Sequence, residues 1–133
     1  MSPETLALWN RAIQALRTAR STVSTDPDAA ASRAYYAAFY AVSALFALQG
    51  KTFSKHSAVE AAVHRDLVHA GVWPVDLGKD YSFLLQLRET GDYGGPTHIS
   101  GEEALESIEA ARRILQAVRD TSPEPFPRME NEP

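Results

Sequence analysis

Apolar residues recur along the chain at spacings of three and four, and no segment alternates with period two for long enough to make a strand. Glycine and proline fall between these periodic stretches and do not fill them. The pattern therefore predicts an all-α protein. A first helix should open at Ser2 as N-cap, with Pro3 in its first turn and Glu4 facing the positive end of the helix dipole. Its apolar stripe reads Leu6, Trp9, Ile13, Leu16, Val23, and it should end within Ser21–Thr25. Asp26-Pro27 repeats the cap-and-proline signal, and Gly50 is placed to close a second helix of about 23 residues, roughly 34 Å long.

That second helix is the most informative segment. With Arg33 at zero and 100° per residue, Tyr36, Tyr40, Ala44 and Ala47 fall on the side of Arg33, while Tyr35, Phe39, Val42 and Phe46 fall opposite. Apolar or aromatic groups surround nearly the whole circumference, the signature of a helix buried on most sides at the centre of a bundle. Arg33 and the hydroxyls of Tyr36 and Tyr40 then need partners, because an unpaired buried polar group costs about 1–3 kcal/mol.

Ser54 is expected to cap a third helix over about 55–70, ended by Gly71. A fourth should run from about 76 to 90, with Tyr81, Leu84, Leu85, Arg88 and Asp92 along one face. Gly91, Gly94, Gly95 and Pro96 predict a break after it. Ser100 with Glu103 forms a capping box for a fifth helix, whose apolar arc is Ala104, Ile108, Ala111, Leu115 and Val118. The expected architecture is one antiparallel, up-and-down bundle of four to five helices over residues 1–120. Residues 121–133 hold four prolines and mostly polar groups, and are expected to form a disordered tail.

Composition narrows the function. A chain of 133 residues can bury roughly two-thirds of its unfolded surface, enough for a core without staples. The absence of cysteine excludes disulfides, zinc–thiolate sites and thiol catalysis, and fits a reducing, cytoplasmic setting. No apolar run approaches the ~18 residues of a membrane span. The formal charge of −4 means that any nucleic-acid or nucleotide site must be a local concentration of Arg, Lys and His. His64 and His69 diverge around a helix, His56 and His64 are two turns apart, and no HExxH is present, so no metal or other cofactor is expected.

Three groupings remain as candidate chemistry. Arg88 and Asp92 are spaced for a helix-end ion pair, but the glycines beyond them leave Arg88 near a cleft where a guanidinium can take a phosphate. Lys55-His56-Ser57 gathers a lysine, an imidazole and free N–H groups at one helix start, which suits an anion or is merely a cap region. Arg33, Tyr36 and Tyr40 form either a buried network that fixes the register of the bundle or the wall of a binding site. Trp9 and Trp73 are by residue type either interface anchors or core.

Taken together, Arg33-Ala-Tyr35-Tyr36-Ala-Ala-Phe39, Lys55-His56-Ser57, Arg88-Glu-Thr-Gly-Asp92-Tyr93, and Ile99-Ser100 before Glu102-Glu103-Ala104 resemble the HEPN domain (higher eukaryotes and prokaryotes nucleotide-binding). The likeness is to its small stand-alone prokaryotic branch and covers about residues 5–120. The resemblance implies an antiparallel bundle that is usually a homodimer. It also implies a minimal nucleotidyltransferase as the other half of a toxin–antitoxin pair, and RNA or a nucleotide as ligand. Many HEPN toxins are metal-independent ribonucleases with an Arg followed, after four to six intervening residues, by a His. Here Tyr93 stands after four residues, and the nearest downstream histidine, His98, after nine. Tyrosine, with an ordinary pKa near 10, is a poor general base at neutral pH.

The leading expectation is therefore a nucleotide- or RNA-binding component without the usual ribonuclease motif. Arg33, Tyr36, Tyr40, Lys55, His56, Arg88, Asp92 and Tyr93 would line its cleft, and Tyr93 is a candidate for modification by the partner. One alternative is a diverged ribonuclease using Arg88 with His98, or with His56 swung in. The other is a structural dimer whose polar residues satisfy only one another.

Overall fold

The structure, a computed structural model, describes residues 1–128. α1 (Pro3–Thr22) and α2 (Pro27–Leu48) form a hairpin, and α3 (His56–Ala62) runs directly into a π-helical segment, Val63–Val68. α4 (Val75–Tyr93) and α5 (Gly101–Thr121) complete an all-α bundle, and no strand occurs among the described residues. α2 is its axis, packed by α1, α4 and α5. Ala30, Ala31, Ala34, Ala37, Ala38, Ala41 and Ala44 have no exposed surface. Such small contact residues let helices approach toward the short end of the usual 8–10 Å spacing.

Local chemistry sets the helix ends. Ser2 Oγ accepts the Thr5 N–H at 3.1 Å, and Asp26 Oδ1 accepts that of Ala29 at 3.1 Å. At α5 the capping box is reciprocal: Glu103 N–H donates to Ser100 Oγ at 3.1 Å, and Ser100 N–H to Glu103 Oε1 at 3.0 Å. Gly50, at φ 75°, ends α2, where its N–H reaches Ala47 O at 3.0 Å and that of Lys51 reaches Phe46 O at 2.9 Å.

Several expectations are corrected. Leu6 is 38% exposed, and Thr5 takes the inward position in the first turn of α1. Ser54 does not cap α3, whose N-cap position is Lys55 without a side-chain bond. The third helix is not uniformly α-helical, since His69 N–H reaches back five residues to His64 O at 2.8 Å. Gly91 does not break α4, which continues to Tyr93. A Cβ on Gly91 would sit 3.0 Å from the Asp28 carbonyl oxygen, so the missing side chain is what lets α4 pass this close to α2. Trp9 and Trp73 are core residues, 1% and 4% exposed, with indole N–H donors satisfied by Pro127 O and Thr121 Oγ1, each at 2.9 Å.

The expected disordered tail is also revised. α5 reaches Thr121, and Phe126 folds back to stack on Trp9 with ring centroids 4.6 Å apart. Phe126 is 5% exposed, and the Met1 amino group pairs with Glu124 at 2.7 Å. One apolar ring with a waiting partner outweighs the polar, proline-rich composition around it. Residues 129–133 of that expected tail lie outside the described residues.

Phe126→Ala should therefore lower the unfolding free energy by about 1.5–3 kcal/mol in urea denaturation, the worth of burying one large apolar side chain. It should also shift the fluorescence of Trp9 to the red. An unchanged midpoint and spectrum would show that the segment does not dock.

Candidate functional site

Tyr36 of α2 is the point on which two arginines meet. The Arg33 guanidinium lies 4.7 Å from the centre of its ring, and the Arg88 guanidinium, from α4, lies 5.6 Å from it. An Arg88 terminal N–H donates to the Tyr36 hydroxyl at 3.2 Å. Arg88 is further enclosed by Tyr35 and Tyr93, whose ring centres stand 5.7 and 5.5 Å from its guanidinium. All these distances fall within cation–π range. The predicted convergence of Arg33, Tyr36, Arg88 and Tyr93 is thus present in the fold.

Arg88 is only 16% exposed, and its environment is unusual for a charge. Asp92 Oδ2 stands 3.1 Å from its Nε, an ion-pair distance, but Nε is buried and does not aim a hydrogen bond at that oxygen. Burial works against the charged form of Arg88, and Tyr36, Tyr93 and Asp92 more than offset it, so its pKa is raised. Arg33 has no acidic partner among the described residues. Of the two arginines, Arg33 carries the uncommitted charge.

His56, the first residue of α3, joins the same cluster. Its ring centre lies 4.5 Å from that of Phe39, 5.6 Å from Tyr36 and 5.7 Å from Tyr35. Burial first, and the Arg88 charge second, hold its pKa below the ordinary histidine value, which favours the neutral imidazole. Neither ring nitrogen has a hydrogen-bond partner among the described residues. A neutral imidazole with both nitrogens available, beside a guanidinium, can bind a ligand polar atom or exchange a proton with one.

The other predicted residues fall around this centre or away from it. Tyr40 extends the strip along α2, its ring 5.9 Å from that of Tyr36 and 5.9 Å from the Arg11 guanidinium. Lys55 is exposed at the start of α3 and makes no ion pair among the described residues. His98 is committed elsewhere: its Nδ1 is 2.7 Å from Asp28 Oδ2, at the first turn of α2. The Ile99 N–H donates to the other oxygen of Asp28 at 2.7 Å. These two bonds hold the Asp28 carboxyl below its ordinary range, and together they staple the α4–α5 connection to α2.

Two features escape sequence reasoning. Tyr35, assigned to the face opposite Arg33, nevertheless reaches Arg88, because adjacent residues are only 100° apart and a large ring bridges the difference. Its hydroxyl and that of Tyr81 are buried without a well-formed hydrogen bond, and the two rings are 6.0 Å apart. Burial pushes the Tyr35 pKa up to about 12 and that of Tyr81 well above 10. Both are therefore neutral spacers of the site, with no acid–base role near pH 7. A groove of about 520 Å³ between α4 and α5 gathers none of the predicted residues. Asp80, Glu106 and Glu109 line it, and Arg113 is tied to Asp80 by bonds of 2.9 and 3.0 Å, so its charge repels an anion.

A family model, the HEPN domain, matches residues 5–121. The chain belongs to the HEPN family. It is 43% identical over 89 residues to a UPF0332 protein of Thermotoga maritima, covering 67% of each chain. It is 32% identical over 118 residues to a UPF0332 protein of Gloeobacter violaceus, covering 87% of this chain and 94% of the relative. The HEPN match takes in every helix of the bundle except the first two residues of α1, and with them all the site residues above. In this HEPN domain the imidazole that feels the Arg88 charge belongs to His56.

Nuclear magnetic resonance titration checks this coupling. His56 should titrate below 6.5. In Arg88→Gln its pKa should rise, because a positive neighbour that disfavours imidazolium has been removed. A His56 pKa insensitive to the substitution would separate the two groups.

Proposed function

We propose that this HEPN protein is the RNA- or nucleotide-binding component of a toxin–antitoxin-type pair with a minimal nucleotidyltransferase, and that it works as a homodimer. The observation that carries the binding reading is the meeting of Arg33 and Arg88 on Tyr36, with His56 and the 73%-exposed Tyr93 alongside. Arg33 and Lys55 supply charge for a phosphate. Tyr93 offers an open aromatic face for a base. Tyr40 continues the surface along α2, and Asp92 holds Arg88 until a ligand phosphate competes for it.

A second reading, a metal-independent ribonuclease, is favoured by the neutral His56 beside Arg88. His56 would take the ribose 2′-hydroxyl proton, and Arg88 would stabilise the charge that develops on the phosphate. His98, held by Asp28, has no part in this version. Tyr93 would then serve as a stacking surface or as a residue for the partner to modify.

Fluorescence anisotropy with a short oligoribonucleotide tests the binding reading. Arg33→Ala should weaken binding about tenfold with little change in melting temperature, and should reduce the slope of log affinity against log salt by about 0.7. Unchanged affinity and slope would remove Arg33 from any phosphate site. The same RNA incubated in EDTA decides the second reading: cleavage abolished by His56→Ala but kept by His98→Ala supports it, and no cleavage rejects it. Co-purification from the native host with a nucleotidyltransferase, and a dimer mass in analytical ultracentrifugation, are the outcomes expected for the partners.

A further inference from the structure

The groove between α4 and α5 shares no residue with the arginine–tyrosine cluster and has no part in the reading above. Two apolar side chains, Phe83 of α4 and Leu105 of α5, line its 520 Å³ together with Asp80, Glu106, Glu109 and Arg113. Leu105 is 55% exposed, the one exposed large apolar residue of α5. We infer that this groove docks an amphipathic helix of a partner polypeptide. The apolar side chains of that helix enter over Phe83 and Leu105, and its lysines or arginines meet Glu106 and Glu109.

The charge of the groove selects a cationic occupant. Residues 101–111 hold four glutamates and no lysine or arginine. Glu102 and Glu103 have a local reason to be acidic: they face the positive end of the α5 dipole, and Glu103 closes the capping box. That effect fades beyond the first turn, so it does not account for Glu106 and Glu109. Arg113 is committed to Asp80 by two bonds, at 2.9 and 3.0 Å. Arg112 reaches Glu109 at 3.1 Å in an exposed pair, the kind worth least and most easily exchanged. Glu106 has no ion-pair partner among the described residues, and Glu102 stands one turn before it on the same face of α5.

Other occupants leave part of this arrangement unused or opposed. Three carboxylates against one guanidinium repel a nucleic acid or a free nucleotide. A polyamine or a bare cation satisfies the acids but gives Phe83 and Leu105 nothing to pack against. A second copy docked about a two-fold axis centred here sets Glu106 and Glu109 against the same acids. A helix with apolar residues three and four apart, flanked by cations, uses the floor and the rim together.

Fluorescence anisotropy on the full chain, at physiological ionic strength, tests the groove. The probe is a dye-labelled helical peptide of about four turns, with leucines three and four apart and lysines between them. In one companion peptide alanine replaces every leucine, and in another glutamate replaces every lysine, changes that keep helix propensity high. Each companion should bind at least about tenfold more weakly than the probe. Leu105→Ala and Glu106→Lys should each weaken probe binding about tenfold, while Glu4→Lys, the same charge change on α1, should weaken it less than about twofold. Leu105 and Glu106 are exposed, so melting temperatures should hold and lost binding will not be lost folding. Equal binding of the alanine companion would reduce the groove to a cation site and overturn the proposal. An equal loss in Glu4→Lys would reduce it to bulk charge and overturn it too, as would no binding at all. A self-associated state in sedimentation that Leu105→Ala dissociates gives the groove to a second copy, and overturns it as well. None of these outcomes bears on RNA binding at Arg33.

Discussion

Because α2 carries alanine at Ala30, Ala31, Ala34, Ala37, Ala38, Ala41 and Ala44, all without exposed surface, α1, α4 and α5 can close on it from several directions at once. A helix enclosed this way has little freedom over where its large residues go. Tyr35 and Phe46 take the interior, while Tyr36, Phe39 and Tyr40 emerge half-covered along the strip that remains. The aromatic surface of the site is therefore a by-product of close packing elsewhere on the same helix. Its rigidity follows for the same reason, since the rings are anchored on the most buried element of the bundle.

Arg88 is what turns that aromatic strip into a chemical site. A guanidinium only 16% exposed is costly unless its surroundings compensate. Three tyrosine rings, one hydroxyl and the Asp92 carboxylate provide the compensation. The same charge acts on His56, where it adds to burial in disfavouring imidazolium. Burial first, and the cation held among aromatic rings at the end of α4 second, lower the pKa of the imidazole at the start of α3, although the two residues lie on separate helices.

Much of this was legible in the residues, and what was not has identifiable causes. The caps at Ser2, Asp26 and Ser100 were readable because they are local: a side chain bonds to a backbone group three residues away. The buried character of α2 was readable from its periodicity, and the placing of Arg33 and Arg88 in one cleft from the resemblance to the HEPN domain. Gly91 was misleading, because a glycine costs a helix about 1 kcal/mol, an amount that a close approach to Asp28 overrides. The docking of Phe126 on Trp9 joins the two ends of the chain, and no local pattern encodes such a contact. The position of His98 away from the cluster depended on Asp28, a residue that reads as an ordinary first-turn acid until Ile99 and His98 are seen to share it.

The charge distribution gives these separate features a common direction. The chain has a formal charge of −4, and the acids of the α4–α5 groove make that face hostile to anions. Arg33, Lys55, Arg11 and Lys51 lie instead along or beside the aromatic strip of α2, where a small local field opposes the mean. With so few cations, electrostatics can steer a phosphate to this side of the molecule but supply little of the sequence-independent affinity that strongly basic proteins enjoy. On the binding reading proposed above, the rings would then have to add to what Arg33 and Arg88 contribute, and an acidic protein that held an anionic ligand partly by stacking would be less sensitive to salt than a strongly basic one.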